Sequence, residues 1–244
     1  VTPERLGYTF FMLLAAGVFV LAQRVLPRPP GVAALPPRQR AALALSAFVG
    51  GVLGAKLPFA LGYTSGPLVL EAWLSDGKTV VAGLIGAYVS VEVAKLVMGI
   101  RVKTGDGYAV PLALAMAVGR WGCFCNGCCY GVPSNAPWAV TFTQPDGRRV
   151  PCHPTQVYES LFHLTMAGVL AWLTLHNLLP RQRLKLYLIS YGVYRFLTEY
   201  IRPEPAWWLG LTFYQWGALL LIAGLAVQWQ FDRRPTPRAQ PALT

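Results

Sequence analysis

Apolar runs recur along this chain at the length a bilayer demands. A helix needs about 20 consecutive apolar residues to cross the hydrocarbon layer, and hydropathy marks seven candidate spans, at 7–23, 41–61, 79–99, 108–122, 156–176, 185–201 and 211–230. The stretch 108–122 is short and holds Pro111, which reads either as a kinked span or as a re-entrant segment. No signal-peptide cleavage pattern follows the first run, so it is expected to be retained. The expected fold is an all-α integral membrane protein of about seven transmembrane helices with a small exported loop region. Residues 1–231 form its membrane domain, and the Pro- and Arg-rich stretch 232–244 is a disordered cytoplasmic tail.

Composition bears on the alternatives. Only 13% of the residues are charged, against about 25% in soluble domains, and the mean hydropathy is +0.44. These values exclude a disordered chain and weigh against an ordinary cytoplasmic domain. The net charge of +11 invites a nucleic-acid partner, but the basic residues fall in short blocks between apolar runs, a pattern that topology explains. No nucleic acid is expected.

Cytoplasmic loops keep an excess of Lys and Arg, while short exported loops lose it. With the amino terminus outside and the carboxyl terminus inside, 12 of the 21 basic residues fall on the inside, among them Arg24, Arg38, Arg101, Lys103, Arg183 and Lys185. Five fall outside (Arg5, Lys78, Arg148, Arg149 and Arg202), and four lie within spans. Acidic loop residues run the other way, with Glu4, Glu71, Asp76, Asp146 and Glu204 outside against Asp106 and Asp232 inside.

Ionisable groups at membrane depth are costly, so each is a candidate for function: Lys56, Glu92, Lys95, Arg120, Glu159, Arg195 and Glu199. Glu92 and Lys95 stand three apart and are expected to neutralise each other. Arg195, Glu199 and Arg202 place plus, minus, plus on one helical stripe. An intrahelical salt bridge explains that spacing. Alternatively, Arg195 and Arg120 project into a shared cavity and clamp an anionic lipid headgroup, because a guanidinium fork matches phosphate and stays charged. Two arginines in separate spans without enough acidic partners favour the clamp.

All five cysteines are close in sequence. Cys123, Cys125, Cys128 and Cys129 fall within Gly119-Arg-Trp-Gly-Cys-Phe-Cys-Asn-Gly-Cys-Cys-Tyr-Gly131, and Cys152 follows. The oriented topology puts them at the outer face, where disulfides are permitted and five thiols leave one over. Three readings stay open: structural disulfides that join the cluster to Cys152, a thiolate metal site that includes His153, or a reactive thiol activated by Arg120. Cys125 and Cys128 make one C-x-x-C, without a second pair at zinc-ribbon spacing. The glycines at 119, 122, 127 and 131 predict a tight backbone path. Its bare amides would face an anion, or the glycines would serve only close helix packing. Residues 135–142 read as an exported strand or surface lid, with Trp138 as an interface anchor.

Four blocks in order resemble the prolipoprotein diacylglyceryl transferase family: Gly119-Arg120-x-Gly122-x-Phe124-x-Asn126-Gly127-x-x-x-Gly131, then Pro137-Trp138-Ala139, then His153-Pro154-Thr155-Gln156-Val157-Tyr158-Glu159, then Tyr191-Gly192-x-x-Arg195-Phe196-x-x-Glu199-x-x-Arg202. The resemblance implies a seven-span bacterial inner-membrane enzyme of the same orientation. It implies transfer of diacylglycerol from phosphatidylglycerol, an anionic glycerophospholipid, to the lipobox cysteine thiol of a preprolipoprotein, with release of glycerol phosphate and no soluble cofactor. Arg120 and Arg195 would hold the phosphate, and Glu199 would orient Arg195. Asn126, Gly127, Gly131, His153 and Arg202 are expected around the substrate. The chain departs from the family's pattern at four positions: Val81 replaces a histidine, Cys123 an asparagine, Cys128 a glutamate, and Cys152 an arginine. These thiols leave a second reading, the same lipid-binding fold used for thiol redox chemistry or for metal binding.

Overall fold

Among the described residues, seven long helices form where the apolar runs predict them. The computed structural model describes residues 3–27, 29–60 and 79–233. Its helices are α1 (Pro3–Val25), the single turn α2 (Pro30–Ala33), α3 (Pro37–Ala60), α4 (Val80–Val97), α5 (Asp106–Cys125), α6 (Thr155–Leu175), α7 (Arg183–Thr198) and α8 (Phe213–Arg233). Two antiparallel hairpins interrupt them, β1 (Val140–Thr143) with β2 (Arg149–Cys152) and β3 (Ala206–Trp208) with β4 (Leu211–Thr212). The expected outer-loop charges Glu71, Asp76 and Lys78, together with the tail from Arg234 onward, lie outside the described residues.

Among the described helices, α1, α3, α4 and α5 are long and apolar enough to cross a membrane by themselves. Of the other three, α7 is too short at 16 residues, and α6 and α8, with 21 each, are less apolar. Helices α6 and α7 carry polar groups that face the bundle interior, such as Gln156, Glu159 and His163 on α6 and Arg183, Lys185 and Arg195 on α7. Large apolar side chains cover the outside, including Leu13, Phe48, Val93, Leu161, Leu197 and Leu220. The protein is an integral membrane protein of mostly helical structure.

The segment around Pro111 is a full helix of 20 residues, not a re-entrant loop. At 1.5 Å per residue it reaches about 30 Å. Proline has no N–H to give the carbonyl four residues back, and the freed oxygen of Gly107 accepts a hydrogen bond from Gln23 Nε2 of α1 at 2.8 Å. A neighbouring helix thus supplies the missing donor.

Helices α3 and α4 run antiparallel with their backbones nearly touching. A Cβ added at Gly86 would lie 2.2 Å from the Gly50 carbonyl oxygen, and one at Gly54 would lie 2.4 Å from that of Ala82. Small residues let membrane helices approach this closely. Glu92 and Lys95 form the expected pair on α4, with Nζ 2.9 Å from Oε1.

Helices α5 to α8 surround the core, which consists of Ala109, Val110, Ala113, Ala167, Leu170, Tyr187, Leu188, Leu221 and Leu225. Antiparallel packing of α1 on α5, seen in the stacking of Phe19 on Tyr108 and the approach of Gly7 to Cys125, completes the alternation of helix directions. One end of the bundle is tied by ion pairs of Asp232 with Lys103 and Lys185, and of Asp106 with Arg183. The other end gathers the carboxyl ends of α5 and α7, the start of α6 and both hairpins.

Candidate active site

Arg120 lies in the last two turns of α5, buried to 8% exposure. Its Nη2 makes a very short ion pair with Glu159 Oε1 of α6, and the Tyr191 hydroxyl of α7 donates to the same oxygen at 2.7 Å. One turn after Tyr191, Arg195 is 5% exposed, pairs with Glu199 Oε2 at 2.9 Å, and lies over the Tyr214 ring at 4.7 Å. Both guanidiniums act electrostatically on Glu159 and on Tyr191. Arg202 Nε is 3.9 Å from Glu199 Oε2, and its other partner, Glu204, is 3.9 Å from Nη2. A buried polar network therefore joins α5, α6 and α7, and α8 closes it.

The helix ends explain how these groups are held. Helix α8 begins with a capping box, in which the Thr212 amide donates to Gln215 Oε1 at 2.9 Å and the Gln215 amide to Thr212 Oγ1 at 3.2 Å. The Thr212 hydroxyl then donates to Glu199 Oε1 at 2.9 Å. The carboxylate that holds Arg195 is itself fixed by the first residues of the next element.

Expected neighbours converge at the same end. Asn126 caps α5, and Gly127 follows at φ +62°, in the left-handed region that glycine adopts freely. The Gly127 amide bonds the Phe124 carbonyl at 3.1 Å and the Cys128 amide bonds the Cys123 carbonyl at 3.1 Å. This is a Schellman turn, which reverses the chain at a helix end. Gly131 sits where three segments meet: an added Cβ would lie 2.6 Å from the Ile201 carbonyl oxygen and 2.9 Å from the side chains of His153 and Thr155. Its amide donates to the His153 carbonyl at 2.8 Å. The amides of Gly127, Cys128 and Gly131 are thus committed to the backbone and do not form the expected anion cradle. Gly122 and Gly119 serve close packing against Met12 of α1.

The structure divides the cysteines. The sulfurs of Cys123, Cys128 and Cys129 all lie within 4.8 Å of one another. Cys125, the first half of the C-x-x-C, packs toward Gly7 of α1. Cys152 is buried on β2, where its thiol donates to the Val150 carbonyl at 3.5 Å and accepts from Gln144 Nε2 at 3.5 Å. All five are free thiols. Hydrogen bonds from Cys123 and Cys128 pull the Cys129 thiol well below the ordinary thiol range, helped by the Arg120 and Arg202 guanidiniums against the opposing effect of burial. Cys128 is lowered by its bond with Cys123, but its bond to Cys129 and its burial outweigh that and leave it raised.

One expectation changes. Arg120 does not lack an acidic partner, because Glu159 reaches it from α6 across 39 residues of sequence. Two clefts among the described residues lie away from both arginines. One is bounded by Gln23, Pro29, Arg40 and Tyr108, the other by Phe48, Val52 and Lys56. Sequence reasoning also passed over His163. It is fully buried one turn after Glu159, its Nδ1 2.9 Å from the Tyr187 hydroxyl and its Nε2 3.8 Å from Glu159. Spacing of four from a carboxylate on an otherwise apolar helix was the available signal. His153 lies at a corner: its carbonyl receives Gly131, and its Nδ1 lies 3.2 Å from the Tyr158 hydroxyl. Residues 135–142 do enter a strand, β1, paired with β2 in a register that sets Val140 opposite Cys152. Trp138 is exposed, and its indole N–H donates to the Tyr158 hydroxyl at 2.7 Å.

Comparison with known proteins addresses the whole arrangement. The family model of the prolipoprotein diacylglyceryl transferases matches residues 6–230. The chain is similar to the phosphatidylglycerol–prolipoprotein diacylglyceryl transferase of Clostridium tetani, at 33% identity over 67% of this chain and 68% of the relative. It is also similar to those of Bordetella avium, at 33% over 78% and 76%, and Methylococcus capsulatus, at 32% over 79% and 75%. The match takes in α1 and α8 as well as the four signature blocks, and with a buried arginine network where those blocks converge, this chain belongs to the prolipoprotein diacylglyceryl transferase family.

Proposed function

We propose that this protein transfers the diacylglyceryl group of phosphatidylglycerol to the cysteine thiol of a prolipoprotein. The observation that carries this reading is the meeting of Arg120 and Arg195, from separate helices, around Glu159 at one end of the bundle. In this reaction the acceptor sulfur attacks the glyceryl carbon that bears the phosphate. A C–S bond forms, the C–O bond to phosphate breaks, and the electron pair leaves on the phosphate oxygen. Phosphate is a good leaving anion when its charge is met by preorganised donors. Arg120 and Arg195 meet it by exchanging part of their contacts with Glu159 and Glu199 for the phosphate oxygens. Glu199, pinned by Thr212, keeps Arg195 aimed. Because Val81 stands where the family has a histidine, the thiol's proton passes to the released phosphate oxygen, which leaves as glycerol phosphate.

The seven long helices all span the inner membrane, with the amino terminus outside, the site at the outer end and the carboxyl end in the cytoplasm. The outward apolar faces of α6, α7 and α8 support this, as does the crowding of Lys and Arg in alternate loops. Gln156, Glu159 and His163 lower the apolarity of α6 but face protein, so they do not oppose its crossing.

Radiolabelled diacylglycerol in phosphatidylglycerol, a lipobox peptide and the purified protein in phospholipid nanodiscs test the reaction directly. Labelled peptide is expected from the wild type, and at least 100-fold less from Arg120→Ala and Arg195→Ala, in line with the loss of one donor to a developing anion. No transfer by wild-type protein that is folded and binds the lipid overturns the assignment.

A further inference from the structure

The three clustered thiols have no part in the transfer just described, yet the fold builds them with care. Cys123 is on the last turn of α5, and the Schellman turn at Gly127 brings Cys128 and Cys129 back over it. Cys129 itself holds φ +63°, a left-handed conformation uncommon for a residue with a side chain. What keeps it there is on α6: Thr155 Oγ1 donates to the Cys129 carbonyl at 2.5 Å and Gln156 Nε2 to the Cys128 carbonyl at 2.6 Å. The two carbonyls are tied down, and the two sulfurs are turned toward Cys123.

We propose that Cys123, Cys128 and Cys129 form a three-thiolate site for a thiophilic closed-shell cation, Zn(II) or Cu(I). Metal–sulfur bonds of about 2.3 Å require sulfurs about 3.8–4.0 Å apart in tetrahedral or trigonal arrangement. All three sulfurs already lie within 4.8 Å of one another, so sulfur displacements of about 1 Å or less, by side-chain rotation, close the shell. An all-sulfur donor set selects soft ions over magnesium or calcium. Binding displaces whatever protons the coordinating thiols still carry, and the thiolate charge lies beside Arg120 and Arg202, which act electrostatically on Cys129. Asn126 bonds the Cys128 sulfur, an outer contact that orients the ligand.

The test uses the full-length chain in nanodiscs, reduced with a phosphine under anaerobic conditions and titrated separately with Zn(II) and with Cu(I) against chromophoric competitors. One ion per chain is expected from at least one of the two metals, and which metal it is identifies the ion. Pulsed maleimide labelling of the wild type, read by peptide mass spectrometry, is expected to show at least tenfold metal protection of Cys123, Cys128 and Cys129. Cys125 should label at the same rate with and without metal. A triple serine variant at the three positions, checked for monodispersity, is expected to lose the site. Failure of both metals to bind the wild type overturns the proposal, as does equal protection of Cys125, or retention of the site in the monodisperse triple variant. Lipid transfer is measured apart from these readouts, so loss of the metal site leaves the transferase assignment standing.

Discussion

Glu159 is the residue on which the buried charges depend. It accepts from Arg120 and from Tyr191, and stands one turn from His163. Removing one partner of a buried pair leaves an uncompensated charge and costs about 3–5 kcal/mol. Glu159→Gln, which leaves Arg120 without its carboxylate, is therefore expected to lower the thermal unfolding midpoint more than Arg195→Gln, after which Glu199 keeps Arg202 and the Thr212 hydroxyl. Differential scanning fluorimetry in detergent checks the order. Glu204 offers a pH test. Burial raises its carboxyl above the usual range, and Glu199 adds to this against the pull of Arg202. A raised carboxyl pKa favours the fold below the unfolded pKa, and that contribution is lost as pH rises through the folded value. Glu204→Gln is thus expected to raise the unfolding midpoint at pH 8 and leave it unchanged at pH 4. A gain of the same size at both pH values would exclude titration as the cause. Arg120, Arg195 and Glu199 were legible in the sequence because charge at membrane depth is rare. Glu159 as the partner of Arg120 was not, since the pairing is set by how α5 and α6 pack rather than by spacing along one helix.

At the scale of elements, glycines fix distances. Gly86→Ala puts a methyl 2.2 Å from the Gly50 carbonyl oxygen, where α3 and α4 have no side chain to move aside. Overpacking of this kind costs about 1–3 kcal/mol, whereas Gly17→Ala on α1 meets nothing within 4 Å and should be neutral or slightly stabilising. The two variants, compared by thermal unfolding, separate backbone contact from helix propensity. Gly131→Ala is expected to reduce transfer at least tenfold with a smaller loss of stability, because the methyl pushes apart the segments carrying His153, Thr155 and Ile201. The positions of all seven long helices followed from hydropathy, and α5 runs through Pro111 unbroken, with Gln23 satisfying the freed carbonyl, to the turn at Gly127. The hairpins were harder to read. Residues 135–142 read as either a strand or a lid, and the partner strand β2, Arg149–Cys152, has a proline among its four residues. The Schellman turn was written in Asn126-Gly127, yet which sulfurs it gathers depends on geometry beyond spacing, and the C-x-x-C pair does not stay together.

Across the whole molecule, helix direction alternates from α1 to α8, and the two ends differ in charge chemistry. One end is laced by Asp232 with Lys103 and Lys185, the other holds the arginine network. Reporter fusions follow from this. A cytoplasm-active enzyme fused after Arg233 and a periplasm-active one inserted at Gly147, an exposed turn glycine at φ +82°, are both expected to be active. The reverse pattern would invert the orientation. The turn that closes α5 has a consequence for descent as well. Its three sulfurs are drawn from seven consecutive residues, on a backbone set by the helix end, Gly127 and two anchors from α6. By the resemblance of the signature blocks, two of those sulfurs fall where the family's pattern has asparagine and glutamate. A few codon changes at surface-near positions are therefore enough to install or erase the cluster, while the arginines, their carboxylates and the helix packing beneath stay as they were. The thiol cluster is in that sense a removable module, which a lineage can gain or discard without rebuilding the machine that carries it.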